Sequence, residues 1–448
     1  MDIKEVIAQY PRIPLTPLPT PLEFAPRLTK ALGGPQVYVK RDDLTALAFG
    51  GNKTRKLEFL MADAVKQKAD TVITLGGVQS NWVRQCVAAA RKLGMDSVAV
   101  LEGEMPQIYQ GNVLLDRIFG ARLIYDPNIT QELEDQEIQG ICPITGKVAE
   151  DYREMGKRPY LMPLGGATPL GNLGYINAVD ELMNQLTEKG IQADYLIAGT
   201  GTGGTQAGIE CGLRLIKSST KMLGISVSRH TQPKENEIAA LCNTTMEFLG
   251  IRDEIFVPND ISVNYDYIGE GYGAVTEGAV EAIRMAAELE GLILCHTYAG
   301  KAFAGMVDLI RRGVLTREHT VVFLHTGGGV ANFARQRGAL NKLYLNLIPA
   351  VVLIKDGTSI GIVRRQRFDQ LLENAAIPDD LGTMGNEEEK ENSRYADKRR
   401  TFDAAGAGGR TRLGLYRAGL CGAMCGRCLS RHRWSDRIDQ GSGQRQYF

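Results

Sequence analysis

Between Val37 and Leu324 the chain alternates short, almost wholly apolar runs with stretches of helical periodicity. The runs VYVK (37–40), TVITL (71–75), SVAVL (97–101), RLIY (122–125), YLIAG (195–199), LGISVS (223–228), LILC (292–295) and TVVFL (320–324) read as strands. A strand that is apolar on both faces must be covered on both, which calls for a parallel sheet flanked by helices. Leu57, Leu60, Met61, Ala64 and Val65 fall at i, i+3, i+4, i+7 and i+8, so one apolar stripe is expected on a helix over 54–66. So many strand–helix units favour two open α/β domains over one. Residues 10–21 (YPRIPLTPLPTP) carry five prolines and read as an extended arm, because proline breaks both helix and central strand.

Composition closes off other classes. Apolar residues make up 44% and charged residues 23% of 448, ordinary values for a globular chain. No run approaches the ~18 apolar residues of a membrane span. MDIKEVIAQY lacks a secretory h-region, and Cys86, Cys142, Cys211, Cys242 and Cys295 lack framework spacing, so a cytoplasmic protein with reduced thiols is expected. The zero net charge hides a split: residues 391–448 carry +7 and residues 1–390 carry −7. LYLNLIPAVVLI (343–354) is apolar enough to pack on the body, but the Arg/Gly-rich stretch from Arg394 has few apolar anchors and reads as poorly ordered. Cys421, Cys425, Cys428 and His432 have spacing reminiscent of metal ligation. Without an accompanying fold no metal is expected there, and the basic tail implies no specific nucleic-acid partner. Unselected sequence accounts better for the abrupt change of composition.

Three turns carry chemistry. GTGTGGTQAG (199–208) follows a strand and opens a helix, the arrangement in which backbone amides bind phosphate. A packing turn alone would not need its interleaved threonines. Gly199, Gly201 and Gly204 also fit the dinucleotide fingerprint, yet the next strand ends in Ser226 and Ser228 with no acid for a ribose. A mononucleotide-like phosphate fits better. In KRDDLTALAFGGNKTRKLEF (40–59), Lys53 stands at or just before a helix start, where the helix dipole favours a lowered amine pKa. That suits a Schiff-base nucleophile, although for the position taken alone a solvated lysine is the stronger reading. In TLGGVQSNWVRQ (74–85), Gln79, Ser80 and Asn81 enter a helix as caps or as site residues. All three turns lie at carboxyl ends of strands, which points to one shared cleft.

With KRDDL, FGGNKTRKLE, QSN, TGTGGTQAG, GEGYG, YAGKA and LHTGG in order, residues 5–335 resemble the D-cysteine desulfhydrase and 1-aminocyclopropane-1-carboxylate deaminase family. These are fold-type II pyridoxal-phosphate enzymes, of the tryptophan synthase β-like kind. The resemblance implies pyridoxal 5'-phosphate bound covalently at Lys53 and Asn81 against the pyridine 3-hydroxyl. It implies Ser80 at the substrate carboxylate or in proton transfer, and phosphate held by Thr200, Gly201, Thr202, Gly203, Gly204 and Thr205. Tyr267 and Tyr298 would line the substrate side, and Thr326 would face the pyridine nitrogen. The deaminase-like branch has an acid after the YAGKA tyrosine and an apolar residue in LHxGG, whereas this chain has Ala299 and Thr326, as in the desulfhydrase-like branch. A neutral threonine leaves a weaker electron sink, which favours β-elimination with a good leaving group. The expected activity is therefore D-cysteine desulfhydrase-like, on a small amino acid. L-cysteate sulfo-lyase and 1-aminocyclopropane-1-carboxylate deaminase are the alternatives, and a noncatalytic cofactor-binding protein is the alternative of another class. Arg84 and His296 are further candidates near substrate, Arg84 reading more simply as structural, and Trp82 and His296 depart from the family pattern. The implied architecture is a large domain (1–45 and 171–340), a small domain (46–170) and a tail (341–448), assembled as a homodimer.

Overall fold

The computed structural model describes residues 3–138, 140–228 and 233–334, together with the backbone of 350–355 and 358–364. Among these, the first sheet has the order β1 (Leu22–Phe24), β2 (Gln36–Lys40), β10 (Thr320–Leu324), β7 (Tyr195–Thr200), β8 (Lys221–Ser226) and β9 (Ser262–Asn264). The second has the order β5 (Arg122–Asp126), β4 (Asp96–Glu102), β3 (Thr71–Gly77) and β6 (Pro159–Met162). Every pairing in both sheets is parallel except β1 with β2. The apolar runs account for this, since the central strands are buried almost throughout. By itself, unit 348–448 contains an antiparallel pair, β11 (Ala350–Lys355) and β12 (Thr358–Arg364). The Arg/Gly-rich stretch and Cys421, Cys425 and Cys428 lie outside the described residues.

The helices that cover the sheets are, in the amino-terminal half, α1 (Ile3–Ile7), α2 (Pro26–Leu32), α3 (Lys53–Lys66), α4 (Asn81–Lys92), α5 (Gly111–Ile118), α6 (Gln131–Ile138) and α7 (Thr145–Glu154). After them come α8 (Pro169–Glu188), α9 (Gly204–Leu215), α10 (Lys234–Phe248), α11 (Glu277–Glu290) and α12 (Ala299–Arg311). The expected stripe on α3 is buried at Leu57, Leu60, Met61 and Ala64, whereas Val65 is exposed at the helix's last turn. The run LILC (292–295) is not a strand. Its side chains alternate in and out, but Leu292 N–H is taken by the Ala286 carbonyl and the Leu294 carbonyl by Asn332 Nδ2. Those two groups are thereby lost to a ladder. The proline arm is extended as expected and tied to α3 through Glu58, which accepts from Leu15 N (2.8 Å), Thr16 N (2.9 Å) and Arg12 Nε (2.7 Å).

A buried charge cluster joins β2, α3 and α8. Arg55 donates to both Asp42 oxygens (2.8 Å each) and to Glu181 Oε1 (2.8 Å). Lys40 Nζ reaches Glu181 (2.5 Å), Gln185 (2.6 Å) and the Thr20 carbonyl (2.7 Å), and Tyr175 donates to Asp42 (2.7 Å). Burial alone would raise the Asp42 carboxyl, but Arg55, Lys40 and Tyr175 outweigh it and hold it below its usual range. Two cations and two carboxylates balance, and nearly every polar atom is hydrogen-bonded, which is the condition for tolerating charge in a core. Asp42→Asn leaves Arg55 half-paired and is expected to destabilise the fold by roughly 3–5 kcal/mol. Denaturant unfolding of the variant beside the parent measures this, and a loss under about 1 kcal/mol would show the cluster to be dispensable.

Candidate active site

The parallel strands deliver their following turns to one end of each sheet, and those turns wall a single cavity of about 180 Å³. From β3 come Gly76, Gly77, Ser80 and Asn81; from β7 come Thr200, Gly201, Thr202, Gly203 and Thr205; β10 is followed by Thr326 and Gly327. Lys53, the first residue of α3, lines the same space. Ten of the residues expected from sequence thus meet here: Lys53, Ser80, Asn81, Thr200, Gly201, Thr202, Gly203, Thr205, Tyr298 and Thr326.

The Lys53 amine makes no hydrogen bond or ion pair among the described residues, and burial lowers it to about 8. Desolvation is the cause the structure supplies for the shift that helix position suggested. Lys56, one turn in, donates to the Gly165 carbonyl (3.1 Å) and is held well below the lysine range by burial and by Lys53. Lys56 Nζ lies against Gly204, so both amines stand beside the glycine loop. Asn52, next to Lys53, bridges to that loop through Nδ2 to Thr205 Oγ1 (3.0 Å), and its own N–H reaches the Thr326 carbonyl (3.0 Å).

The loop itself fits a phosphate. Gly203 takes a left-handed φ of +83° and offers no side chain to cap α9, so the first amides of that helix face a ligand position. Thr200 Oγ1 is buried without a partner among the described residues, an orphan hydroxyl of the kind an anion satisfies. Gly204 does not line the cavity. A Cβ there would stand 2.7 Å from Ala167 Cα, so it is glycine for close packing. These features suit a phosphorylated cofactor with an aldehyde that condenses on Lys53.

Ser80 caps α4, accepting from Val83 N (3.2 Å), and also lines the cavity, so the two readings of that residue coexist. Tyr298 meets Tyr272 hydroxyl to hydroxyl at 2.6 Å, and both line the cavity. Tyr267 does not. Its hydroxyl donates to Asp308 (2.6 Å) and its ring lies over Gly305 of α12. The tyrosine of the GEGYG motif itself, rather than the one five residues earlier, lines the cavity. Burial, then Tyr272, raises the Tyr298 phenol well above its ordinary value, so it is a neutral donor. His296 is buried behind Tyr298 against Asn332 and does not reach the cavity, while Trp82 packs its ring by Gly166 and forms part of the wall. Arg84 is fully buried and absent from the wall. Sequence reasoning did not anticipate Asn52, Tyr272, or the acidic lining contributed by Glu102 of β4 and by Glu134 and Asp135 of α6. Burial, then Glu102 and Asp135, pushes Glu134 to about 7. The GEGYG motif held the signal for Tyr272; nothing in the sequence pairs Glu102 with Glu134.

The family model described as "Pyridoxal-phosphate dependent enzyme" matches residues 13–327. A Pyrococcus furiosus protein, provisionally named 1-aminocyclopropane-1-carboxylate deaminase, is 38% identical over 326 residues, covering 73% of this chain and 94% of its own. The D-cysteine desulfhydrase of Klebsiella pneumoniae is 37% identical over 333 residues, covering 73% and 97%. Among solved structures, one titled as an ACC deaminase homologue superposes with a TM-score of 0.68 at 36% identity, covering 77% of this chain and 99% of that one.

If the cavity is where amino acids react, Tyr272→Phe should cut kcat/KM by on the order of 100-fold. Tyr267→Phe should leave it within about twofold and lower the melting temperature instead. Steady-state kinetics and thermal unfolding of the two variants check this, and equal kinetic losses would return Tyr267 to the site.

Proposed function

The chain belongs to the pyridoxal-phosphate-dependent enzyme family, and on that premise we propose that it is a carbon–sulfur lyase converting D-cysteine and water to pyruvate, hydrogen sulfide and ammonia. The relatives divide by name between deaminase and desulfhydrase, so the choice rests on this chain's own residues. The observation that carries it is the pair Ala299 and Thr326. Thr326 lies in the cavity wall, and the position after Tyr298 holds a buried alanine rather than an acid. A neutral wall of that kind favours substrates with a good β-leaving group over an unactivated ring. The acidic lining adds a second argument, because Glu102, Glu134 and Asp135 would disfavour the sulfonate of L-cysteate more than a thiol.

The Thr200–Thr205 loop would hold the phosphate, Lys53 the aldehyde carbon, Asn81 the ring hydroxyl and Thr326 the ring nitrogen. Bound there, the cofactor supplies an electron sink for the pair left when the Cα proton is removed. Lys53, once its amine is free and neutral near its lowered pKa, takes the Cα proton, with Ser80 beside it. The Tyr298–Tyr272 hydroxyl pair donates a proton to the departing sulfur, which leaves as hydrogen sulfide. Hydrolysis of the three-carbon remainder gives pyruvate and ammonia and balances the atoms. Catalysis in a cleft between a large domain (1–45 and 171–340) and a small domain (46–170) belongs to the same proposal, supported by the two separate sheets. So does a homodimer, for which the exposed side chains of Phe49, Ile293 and Phe333 offer apolar surface.

Purified protein is offered D-cysteine, L-cysteine, L-cysteate, β-chloro-D-alanine and 1-aminocyclopropane-1-carboxylate side by side, with Lys53→Ala as control. Pyruvate from D-cysteine and β-chloro-D-alanine, lost in the control, is the expected result. 2-Oxobutanoate from the cyclopropane substrate, or pyruvate from L-cysteate alone, would overturn the choice of substrate and keep the cofactor chemistry.

A further inference from the structure

Asn81 presents an amide whose two ends are chemically opposite, and which end faces the cavity decides whether the residue donates or accepts. We propose that Arg84 and Asn112 are positioning residues that fix the polarity of that amide, so that the Asn81 NH2 group is the end left for the ligand. The inference rests on the reading of Asn81 as the contact to the cofactor's ring oxygen.

The argument starts from Arg84, a group with donors only. It is buried, and its guanidinium is anchored by the carbonyls of Ala48 and Gly50 (3.2 Å to the latter). Its Nε donates to Asn112 Oδ1 at 2.7 Å, which forces the Asn112 oxygen toward the arginine. Asn112 Nδ2 therefore points away, where it donates to the Gln79 carbonyl (2.7 Å) and to Asn81 Oδ1 (2.9 Å). Arg84 reinforces the last contact with a longer one of its own to Asn81 Oδ1 (3.5 Å). Flipping Asn112 would set its NH2 against a guanidinium and its oxygen against two oxygens. Flipping Asn81 would set NH2 against NH2. Donor-only chemistry at one end thus propagates through two amides. No described residue accepts from Asn81 Nδ2, and Gly328 leaves it room, since a Cβ there would lie 2.9 Å away. Asn112 lies in the first turn of α5 and Arg84 within α4, so two helices hold the relay rigidly.

A donor on the ring oxygen stabilises that oxygen's anionic form and so lowers the pH at which the bound cofactor's visible band titrates. The test is that titration on the cofactor-loaded protein, with melting temperature measured alongside. Asn81→Ala should raise the midpoint by about one pH unit, a tenfold change. Asn112→Asp, which still accepts from Arg84 but turns an acceptor toward Asn81, should raise it comparably. Asn112→Ser, which removes the donor without adding charge, should move it the same way and serves if the aspartate variant does not fold. Arg84→Lys keeps donor-only chemistry and should leave the midpoint in place even where the melting temperature falls. A shift with Asn81→Ala but none with either Asn112 variant would overturn the relay. No shift with Asn81→Ala itself would overturn the cofactor contact on which the relay rests.

Discussion

The first turn of α3 carries both the residue on which the chemistry is proposed to depend and the residue that anchors the core. Lys53 opens the helix, and Arg55, two positions on, is locked between Asp42 and Glu181. Because that pairing is buried and bidentate, α3 cannot rotate or slide without stranding a charge in the interior, a cost of several kcal/mol. The segment before it is held under strain. Ala46, Ala48 and Phe49 adopt positive φ without being glycine, at roughly 1–3 kcal/mol each. Arg84, on the carbonyls of Ala48 and Gly50, and Thr45, which closes on Gly51, keep the strained loop in place. The lysine is therefore presented on a turn clamped from both sides.

That rigidity serves an electrostatic purpose. Among the described residues Lys53 and Lys56 have no carboxylate partner, and they stand beside a glycine loop whose buried Thr200 hydroxyl is also unpaired. An anion with an electrophilic carbon resolves both deficits at once. The carboxylates that do reach the cavity are Glu102, Glu134 and Asp135.

Much of this was legible from the residues. The strands were readable because a parallel strand buried on both faces is apolar at every position, and the phosphate loop because glycine and threonine must alternate where amides and hydroxyls converge. LILC misled for the same reason, since it is apolar at every position while its Leu292 N–H and Leu294 carbonyl are taken by α11 and Asn332. β6 and β9 are short, and one begins with proline, which removed the signal. Tyr267 and Tyr272 carry the same side chain five residues apart, and only the packing of Tyr267 against α12 and Asp308 separates them. Arg84 read as structural, but its part in orienting Asn81 depends on which amide oxygen it meets, a property of three dimensions alone. Helix α6 contributes Glu134 through tertiary placement that no local pattern encodes.

The central claim is that the unpaired, desolvated amine of Lys53 is the one that takes the cofactor's aldehyde. Borohydride reduction of the loaded protein followed by peptide mass mapping tests it most directly. The account predicts a pyridoxyl-phosphate adduct on the peptide at Lys53 and none on Lys56, Lys234 or Lys301, three of the lysines buried in the same body. An adduct on any of those three, with Lys53 unmodified, would contradict it.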